Sequence, residues 1–331
     1  MKKRVLTGIK PTGYVHLGNY FGMIKPAIEL SKSDEYEGYY FVADYHALTI
    51  LQNAEQMQEY VYNVACTWLA CGLDPNKVVF YKQSDIPEDF ELFWILCNLT
   101  PKGLMNRAHA YKAIVEKNNE SGTDVDFGVN MGLYNYPILM ASDILLFGSD
   151  LVPIGLDQKQ HIEIARDIAH YFNKKYGNIF NEPEDLIQEN CQLLVGLDGR
   201  KMSKSYGNTI QLFTTEDVLR KTINKIVTDS KLPGEPKDVD CTLNKFYKLF
   251  VGSEKAKEFE EKLKNGLGWG EAKKELFEVA NNYIKPMREK FFYYMEHKEL
   301  VDKMLADGAK QARAVAKEYL AKVRKLIGAD K

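Results

Sequence analysis

The sequence predicts an α/β protein: a doubly wound parallel-sheet catalytic domain followed by a C-terminal all-helical domain. Three observations predict it. Short β-rich runs alternate with stretches of helical period through the first half, the pattern of a parallel sheet with crossover helices. From about Thr214 onward only helical stripes remain. The 331 residues also exceed one ordinary domain. The expected division is 1–210 and 211–331, with inserted helices over about 50–135 in the first part.

The elements follow in order. Residues 4–9 (RVLTGI) form a short β-rich run. Pro26 falls where the next helix should continue, so that helix is short or kinked. Residues 39–44 (YYFVAD) and 78–83 (VVFYKQ) are two more strands. Between them Met57, Val61, Val64 and Trp68 share one helical face, with Asn53 as N-cap and Gly72 as stop. Residues 117–132 are polar, contain glycine and lack a clear period, which reads as a mobile loop. Leu219, Ile223 and Ile226 make a helical stripe behind Thr214 or Thr215 as cap. Ser253 opens a charged helix through Phe259 and Leu263 that closes at Gly266. Ala272, Leu276 and Val279 continue the pattern, and Pro286 punctuates it. The tail from Ala309 is helical and locally basic, with Lys310, Arg313, Lys317, Lys322, Arg324 and Lys325; a solvated helix face explains it as well as an RNA contact.

Composition narrows the class. Apolar residues at 45% and charged residues at 27% suit a soluble protein with a sizeable core. A net charge of -2 excludes a globally basic surface, so any RNA contact needs a local patch. Lys2, Lys3 and Arg4 precede an apolar run that Gly8, Lys10 and Pro11 end at once. No stretch approaches the ~20 apolar residues of a membrane span. A cytoplasmic protein without a membrane partner is expected. The five cysteines (Cys66, Cys71, Cys97, Cys191, Cys241) are odd in number and form no C-x-x-C pair, so each reads as a buried thiol and no protein metal site is expected.

Two constellations carry chemistry. The first runs from Gly8 to Asn19 (GIKPTGYVHLGN), between the first strand and a helix. Such a junction aims backbone N–H groups and the positive helix end at a phosphate. Gly18 lets a flat group approach the backbone, and His16 and Asn19, three apart, put two polar side chains on one side of the helix start. The second runs from Asp198 to Asn208 (DGRKMSKSYGN). Its two lysines and two serine hydroxyls between glycines suit a polyphosphate leaving group, whose charge grows as its bond breaks.

Together the two resemble the class I aminoacyl-tRNA synthetases, with His16–Asn19 standing as the HIGH-type motif and Lys201–Ser205 as KMSKS. The narrower resemblance is to the tryptophan enzymes of that family. It rests on residues 136–146 (YPILMASDILL), similar to their indole-pocket segment, and on 152–161 (VPIGLDQKQH), similar to their G-x-D-Q-x-x-H element. Tyrosine enzymes share the architecture but usually have asparagine where His161 stands.

This resemblance implies a Rossmann-like catalytic domain, an anticodon-binding helical domain and a homodimer. It implies activation of L-tryptophan by ATP and its transfer to the 3′ end of tRNA(Trp), with Mg²⁺ carried by the ATP and no DNA partner. Catalysis would fall to His16, Asn19, Lys201 and Lys204. ATP would meet Lys10, Pro11, Thr12, Gly18, Asn19, Gly155, Leu156, Asp157, Leu193, Lys201, Met202, Ser203, Lys204 and Ser205. Many bacterial relatives have glutamine where Lys10 stands, which assigns Lys10 a charge contact to ATP or to the amino-acid carboxylate. A further phosphate-binding lysine is Lys112 or Lys117, and the sequence does not choose.

Asp143 would accept the indole N–H, with Met140, Tyr136 and His46 around the ring and Gln158 on the backbone groups. A carboxylate in an apolar run is costly unless paired, and an indole N–H is donor only, so each supplies what the other needs. His46 taken alone reads equally as a satisfied loop histidine. A tyrosine-specific enzyme and a non-catalytic RNA-binding paralogue are the alternative functions.

Overall fold

The structure, a computed structural model, describes residues 2–155, 158–187 and 194–330. Its centre is a parallel sheet of five described strands: β1 (Lys3–Ile9), β2 (Tyr36–Val42), β3 (Val79–Lys82), β4 (Leu151–Ile154) and β5 (Glu184–Ile187). The order is β3-β2-β1-β4-β5. The chain thus builds outward from β1 on one side, then crosses to build outward on the other. Ligands bind beyond the C-terminal strand ends at such a switch point, which here lies between β1 and β4. Val5, Leu6, Tyr39, Tyr40, Phe41 and Val42 are all buried, as expected of strands covered on both faces.

After β1 the chain forms α1 (Leu17–Asn19), a π turn (Tyr20–Ile24) and α2 (Lys25–Ser31). The π turn re-phases the helix so that Pro26 stands in the first turn of α2, where its missing N–H is harmless. The expected interruption is real, and this is its form. Next come α3 (Asp44–Ala47) and α4 (Ala54–Ala70), the latter capped by Asn53 on the Gln56 N–H as predicted. Between β3 and β4 lie α5 (Pro87–Cys97), α6 (Lys102–Met105), α7 (His109–Ser121) and α8 (Met131–Leu146); α9 (Lys159–Tyr176) joins β4 to β5.

The loop expected over 117–132 is a correction. Residues 117–121 complete α7 and Met131 opens α8, so only 122–130 are non-helical. Asn118 is the one buried residue of α7, and a helix wet on nearly every side writes no apolar period. The Asn118 amide then pins the turn by donating to the Val125 and Phe127 carbonyls.

The C-terminal segment is helical as expected: α10 (Glu216–Asn224, capped by Thr215), α11 (Thr242–Phe250), α12 (Ser253–Lys264), α13 (Trp269–Glu296) and α14 (Lys298–Ile327). Pro286 does not end α13, which runs through it for 28 residues. Its ring faces solvent, where water can take the carbonyl left without an N–H partner. The long α14 belongs to two apolar cores. Val301 and Leu305 pack with the helical segment, while Ala312, Ala316, Leu320 and Val323 pack with the sheet. Gly308 makes that approach possible, since a Cβ there would stand 1.8 Å from the Phe80 carbonyl oxygen of β3. In the basic tail, Arg313 and Arg324 pair with Glu88 and Glu91 of α5. Among the described residues, no helix is long and apolar enough to cross a membrane.

Candidate active site

A cavity of about 350 Å³ opens at the switch point. Thr7, Gly8 and Lys10 reach it from β1 and its end, and residues 152–155 from β4. Phe41, Ala43 and His46 close one wall, and Tyr136, Met140, Asp143 and Ile144 of α8 the other. Gln158 also lines the cavity. Seven predicted site residues (Lys10, His46, Tyr136, Met140, Asp143, Gly155, Gln158) therefore share one hollow. The Lys10 ammonium lies 5.3 Å from the Tyr136 ring centre, a cation–π contact, and its pKa is lowered by desolvation.

The floor of the cavity is a buried polar network. Asp143 is 3% exposed; its Oδ1 accepts from Gln83 Nε2 and its Oδ2 bonds His46 Nε2, both at 2.8 Å. Although that spacing fits an ion pair, His46 is neutral: burial, then the nearby Lys10 charge, push its pKa down to about 3. Burial pushes the Asp143 carboxyl the other way, above the ordinary range, against the Gln83 hydrogen bond that lowers it. Gln83 is held in one orientation, because its Oε1 accepts from the His46 backbone N–H at 3.3 Å. His46 lies in α3 rather than a loop, and its ring is a buried, satisfied partner of Asp143 that also lines the cavity. Sequence reasoning missed Gln83 and Asp89. A polar residue at the end of a parallel strand, as Gln83 is, was the available signal.

The second hollow, about 390 Å³, lies beside the N-terminal turn and is lined by Thr12, Gly13, His16 and Lys204 among others. His16 and Asn19 cap α1 reciprocally: His16 Nδ1 accepts the Asn19 N–H at 3.3 Å, and Asn19 Oδ1 accepts the His16 N–H at 3.2 Å. The distant loop joins them through backbone bonds, Leu17 N–H to the Ile210 carbonyl and Leu212 N–H to that of Val15, both 2.9 Å. Met202 is buried, with its Sδ 3.3 Å from where a Gly18 Cβ would stand. Gly13 has φ +125°, and Lys204 Nζ lies 3.2 Å from its would-be Cβ, so a side chain there would be strained and in the way. Burial, then the Lys204 charge, lower the His16 pKa to about 4, and desolvation lowers that of Lys204, whose outer surface is nonetheless exposed.

The rest of the loop divides clearly. Lys201 is exposed at its edge, and the Ser203 and Ser205 hydroxyls bond each other at 2.8 Å. Asn208, buried, fixes the loop by accepting the Ser203 N–H and donating to Asp198 and the Lys201 carbonyl. Pro11 is buried beside Thr12. Leu156, Asp157 and Leu193 lie outside the described residues. Lys112 pairs with Glu116 at 3.6 Å on the surface and Lys117 is exposed; neither lines either hollow.

Residues 1–285 match the family described as tRNA synthetases class I (W and Y). The chain belongs to that family. Within it, the tryptophan–tRNA ligase of Neisseria meningitidis is 51% identical over 329 residues, 99% of this chain and 98% of the relative. The tryptophan–tRNA ligase of Pseudomonas aeruginosa is 48% identical over 99% of this chain and 74% of the relative. Tryptophanyl-tRNA synthetase from Campylobacter jejuni, solved with ADP and tryptophan, superposes with a TM-score of 0.90 at 43% identity, covering 98% of this chain and 99% of that one. The five-stranded parallel sheet is the Rossmann-like sheet of a class I synthetase. The two hollows differ in character: one is largely apolar above a buried carboxyl, and the other brings together an ammonium group and N–H donors.

Proposed function

We propose that this class I synthetase is a tryptophan–tRNA ligase. The observation that carries the reading is Asp143: a buried acceptor facing an apolar, aromatic-lined cavity, which suits a ring whose only polar atom is a donor. Relatives about 50% identical over nearly the whole chain support it.

The reaction has two steps. A tryptophan carboxylate oxygen bonds the α-phosphorus of ATP in line, the α–β P–O bond breaks, and pyrophosphate leaves with tryptophanyl-adenylate formed. His16 and Asn19 steady the phosphates, while Lys204 and the exposed Lys201 follow the departing charge. Lys10, near Tyr136, meets the carboxylate or a phosphate oxygen. A ribose hydroxyl at the tRNA(Trp) 3′ end then bonds the acyl carbon and AMP leaves. Positioning and charge stabilisation account for the catalysis, with no covalent protein intermediate. Mg²⁺ arrives with the ATP. Among the described residues no cluster of carboxylates, histidines or cysteines is placed to hold a metal, and the turn offers donors suited to anions, so no step is assigned to the ion.

The segment 211–331 takes the anticodon arm, and 1–210 holds ATP and tryptophan. The active form is a cytoplasmic homodimer. Support for pairing comes from the exposed apolar residues Leu48, Ile50, Phe90, Trp94, Phe127 and Met131, several of which border one shallow hollow. Retention of Lys201, Lys204, Asp143 and Gln158 argues against a non-catalytic paralogue. ATP–pyrophosphate exchange with each of the twenty amino acids tests the reading: exchange with tryptophan alone is expected, and exchange with tyrosine alone would end it.

A further inference from the structure

Behind the cavity floor stands a second carboxyl that the reaction does not use. Asp89, in the first turn of α5, is 2% exposed and does not line the cavity. The Ser142 hydroxyl donates its one proton to the Asp89 carbonyl at 2.9 Å, docking α5 against α8 beside Asp143. That leaves the Asp89 carboxyl facing Asp143, and although the Ser142 hydroxyl also lies near that carboxyl, its proton is committed to the carbonyl, so neither Asp89 side-chain oxygen has a hydrogen-bond partner among the described residues. Two buried anionic carboxyls in contact repel strongly, and a single shared proton removes both the repulsion and the missing donor.

The hydrogen bonds decide where that proton sits. Asp143 already receives Gln83 Nε2 on one oxygen and faces His46 Nε2 on the other. The Gln83 amide must present its NH₂ group there, because its carbonyl is held by the His46 N–H. N–H donors stabilise an anion, and Asp143 has them while Asp89 has none. A carboxylate offers about four acceptor directions.

We propose that Asp89 is a neutral carboxylic acid that donates to Asp143, so that three donors hold Asp143 as an anion and its remaining acceptor direction takes the indole N–H. Asp89 is thus a positioning residue for amino-acid selection and never touches the substrate. The inference rests on the reading of the cavity as a tryptophan site. The other groups facing the pair fit it. His46 is neutral, Lys10 lies at the cavity wall, and Asp44 is engaged by the Tyr45 and Ser84 N–H groups. The Tyr81 hydroxyl is buried, and Glu88 is paired with two of the three guanidinium nitrogens of Arg313 from α14. Burial and the neighbouring Asp143 charge also push Asp89 well above the usual carboxyl range.

The test is ATP–pyrophosphate exchange by the full-length enzyme, Asp89→Asn and Asp89→Leu between about pH 6 and 9. Asparagine is neutral and keeps a donor, whereas leucine is neutral and has none. Asp89→Asn should stay within about threefold of the wild-type tryptophan KM, and Asp89→Leu should raise it roughly tenfold with the ATP KM unchanged. The leucine variant should also move the acid limb of kcat/KM for tryptophan to higher pH, because Asp143 without its third donor binds a proton more tightly. Equal losses in the two variants, or an acid limb that stays in place in Asp89→Leu, would overturn the proposal. If Asp89→Leu does not fold, infrared spectra at neutral pH decide. A protonated-carboxyl band present in the wild type and missing from Asp89→Asn is required, and its persistence puts the proton elsewhere. A wild type with no tryptophan-dependent exchange would refute the reading of the cavity and this inference together, an outcome distinct from any variant behaviour.

Discussion

Replacing Asp143 by alanine separates the two things this residue does. It removes the acceptor that faces the cavity, and it strips Gln83 Nε2 and His46 Nε2 of their 2.8 Å partner. Losing a hydrogen bond to a charged acceptor costs about 1.5–3 kcal/mol, or roughly 10–150-fold in tryptophan KM. The ATP KM should hold, because the phosphate turn around His16 and Lys204 forms a different hollow. Leaving two buried donors unpaired costs a further ~2–6 kcal/mol of stability, a large share of the ~5–15 kcal/mol of a typical fold. A thermal scan must therefore accompany the kinetics. An analogue with sulfur in place of the indole N–H distinguishes lost recognition from general damage, since it fills the same volume without a donor. Pyrophosphate exchange with both amino acids gives a preference ratio for each protein. The wild type should favour tryptophan strongly, and the ratio should collapse in Asp143→Ala. An unchanged ratio would remove Asp143 from indole recognition.

The other predictions concern different parts of the molecule. Lys204→Ala should lower kcat for exchange by about 10²–10³ while leaving tryptophan Kd by fluorescence titration intact, because it acts on charge that develops late; matched losses in both would contradict its role. Gly308→Ala puts a Cβ 1.8 Å from the Phe80 carbonyl and should cost at least about 3 kcal/mol in denaturant unfolding, as α14 is lifted from the sheet. The melting temperature should fall as pH rises above about 6.5: the Asp89–Asp143 pair, raised by burial, keeps a proton the unfolded chain has released, so its contribution is lost with rising pH. The depressed values of His16 and His46, about 4 and 3, work oppositely and only below about 6.5, so a melting temperature rising across that upper window would refute the assignment. Light scattering should give the mass of two chains for the wild type and of one for Trp94→Glu, whose indole is 68% exposed; a wild type at the mass of one chain would rule out the homodimer.

What the sequence made legible was whatever has a period or a rare string. The strands of the first half and the stripe of Met57, Val61, Val64 and Trp68 announced themselves because one buried face forces apolar residues to recur. The wet helix α7 has no such face, so its polar run looked like a loop. Pro286 misled for a related reason, because a proline on a solvent-facing side breaks the local rule without breaking the helix. In the site, Lys204 and Asp143 were readable because each is chemically out of place: a lysine pair between glycines, a carboxylate among apolar residues. Gln83 and Asp89 are ordinary in their local strings, and only the crossing of β3, α5 and α8 brings them under Asp143. Asn208 was in the quoted string, but its role in fixing the loop depends on Asp198 folding back against it.

The His16–Asn19 pair does something other than present two parallel phosphate ligands. Each side chain already closes a bond inside the turn, and those bonds fix the chemistry of what remains free. A backbone N–H can only donate, so His16 Nδ1, which accepts from Asn19, carries no proton. The ring is neutral, since burial and then Lys204 hold its pKa near 4, and its single proton must sit on Nε2. Asn19 uses its oxygen in the cap, which leaves its NH₂ group as the free end. The turn therefore offers two neutral N–H donors beside one ammonium, rather than two full charges crowded together. The cap and the 2.9 Å backbone bonds to Val15 and Ile210 are all bonds within the chain, so the fold itself holds these donors in place. In the proposed reaction, donors held by the fold do not have to reorganise as pyrophosphate departs, and most of the electrostatic advantage of such a site comes from that fixing.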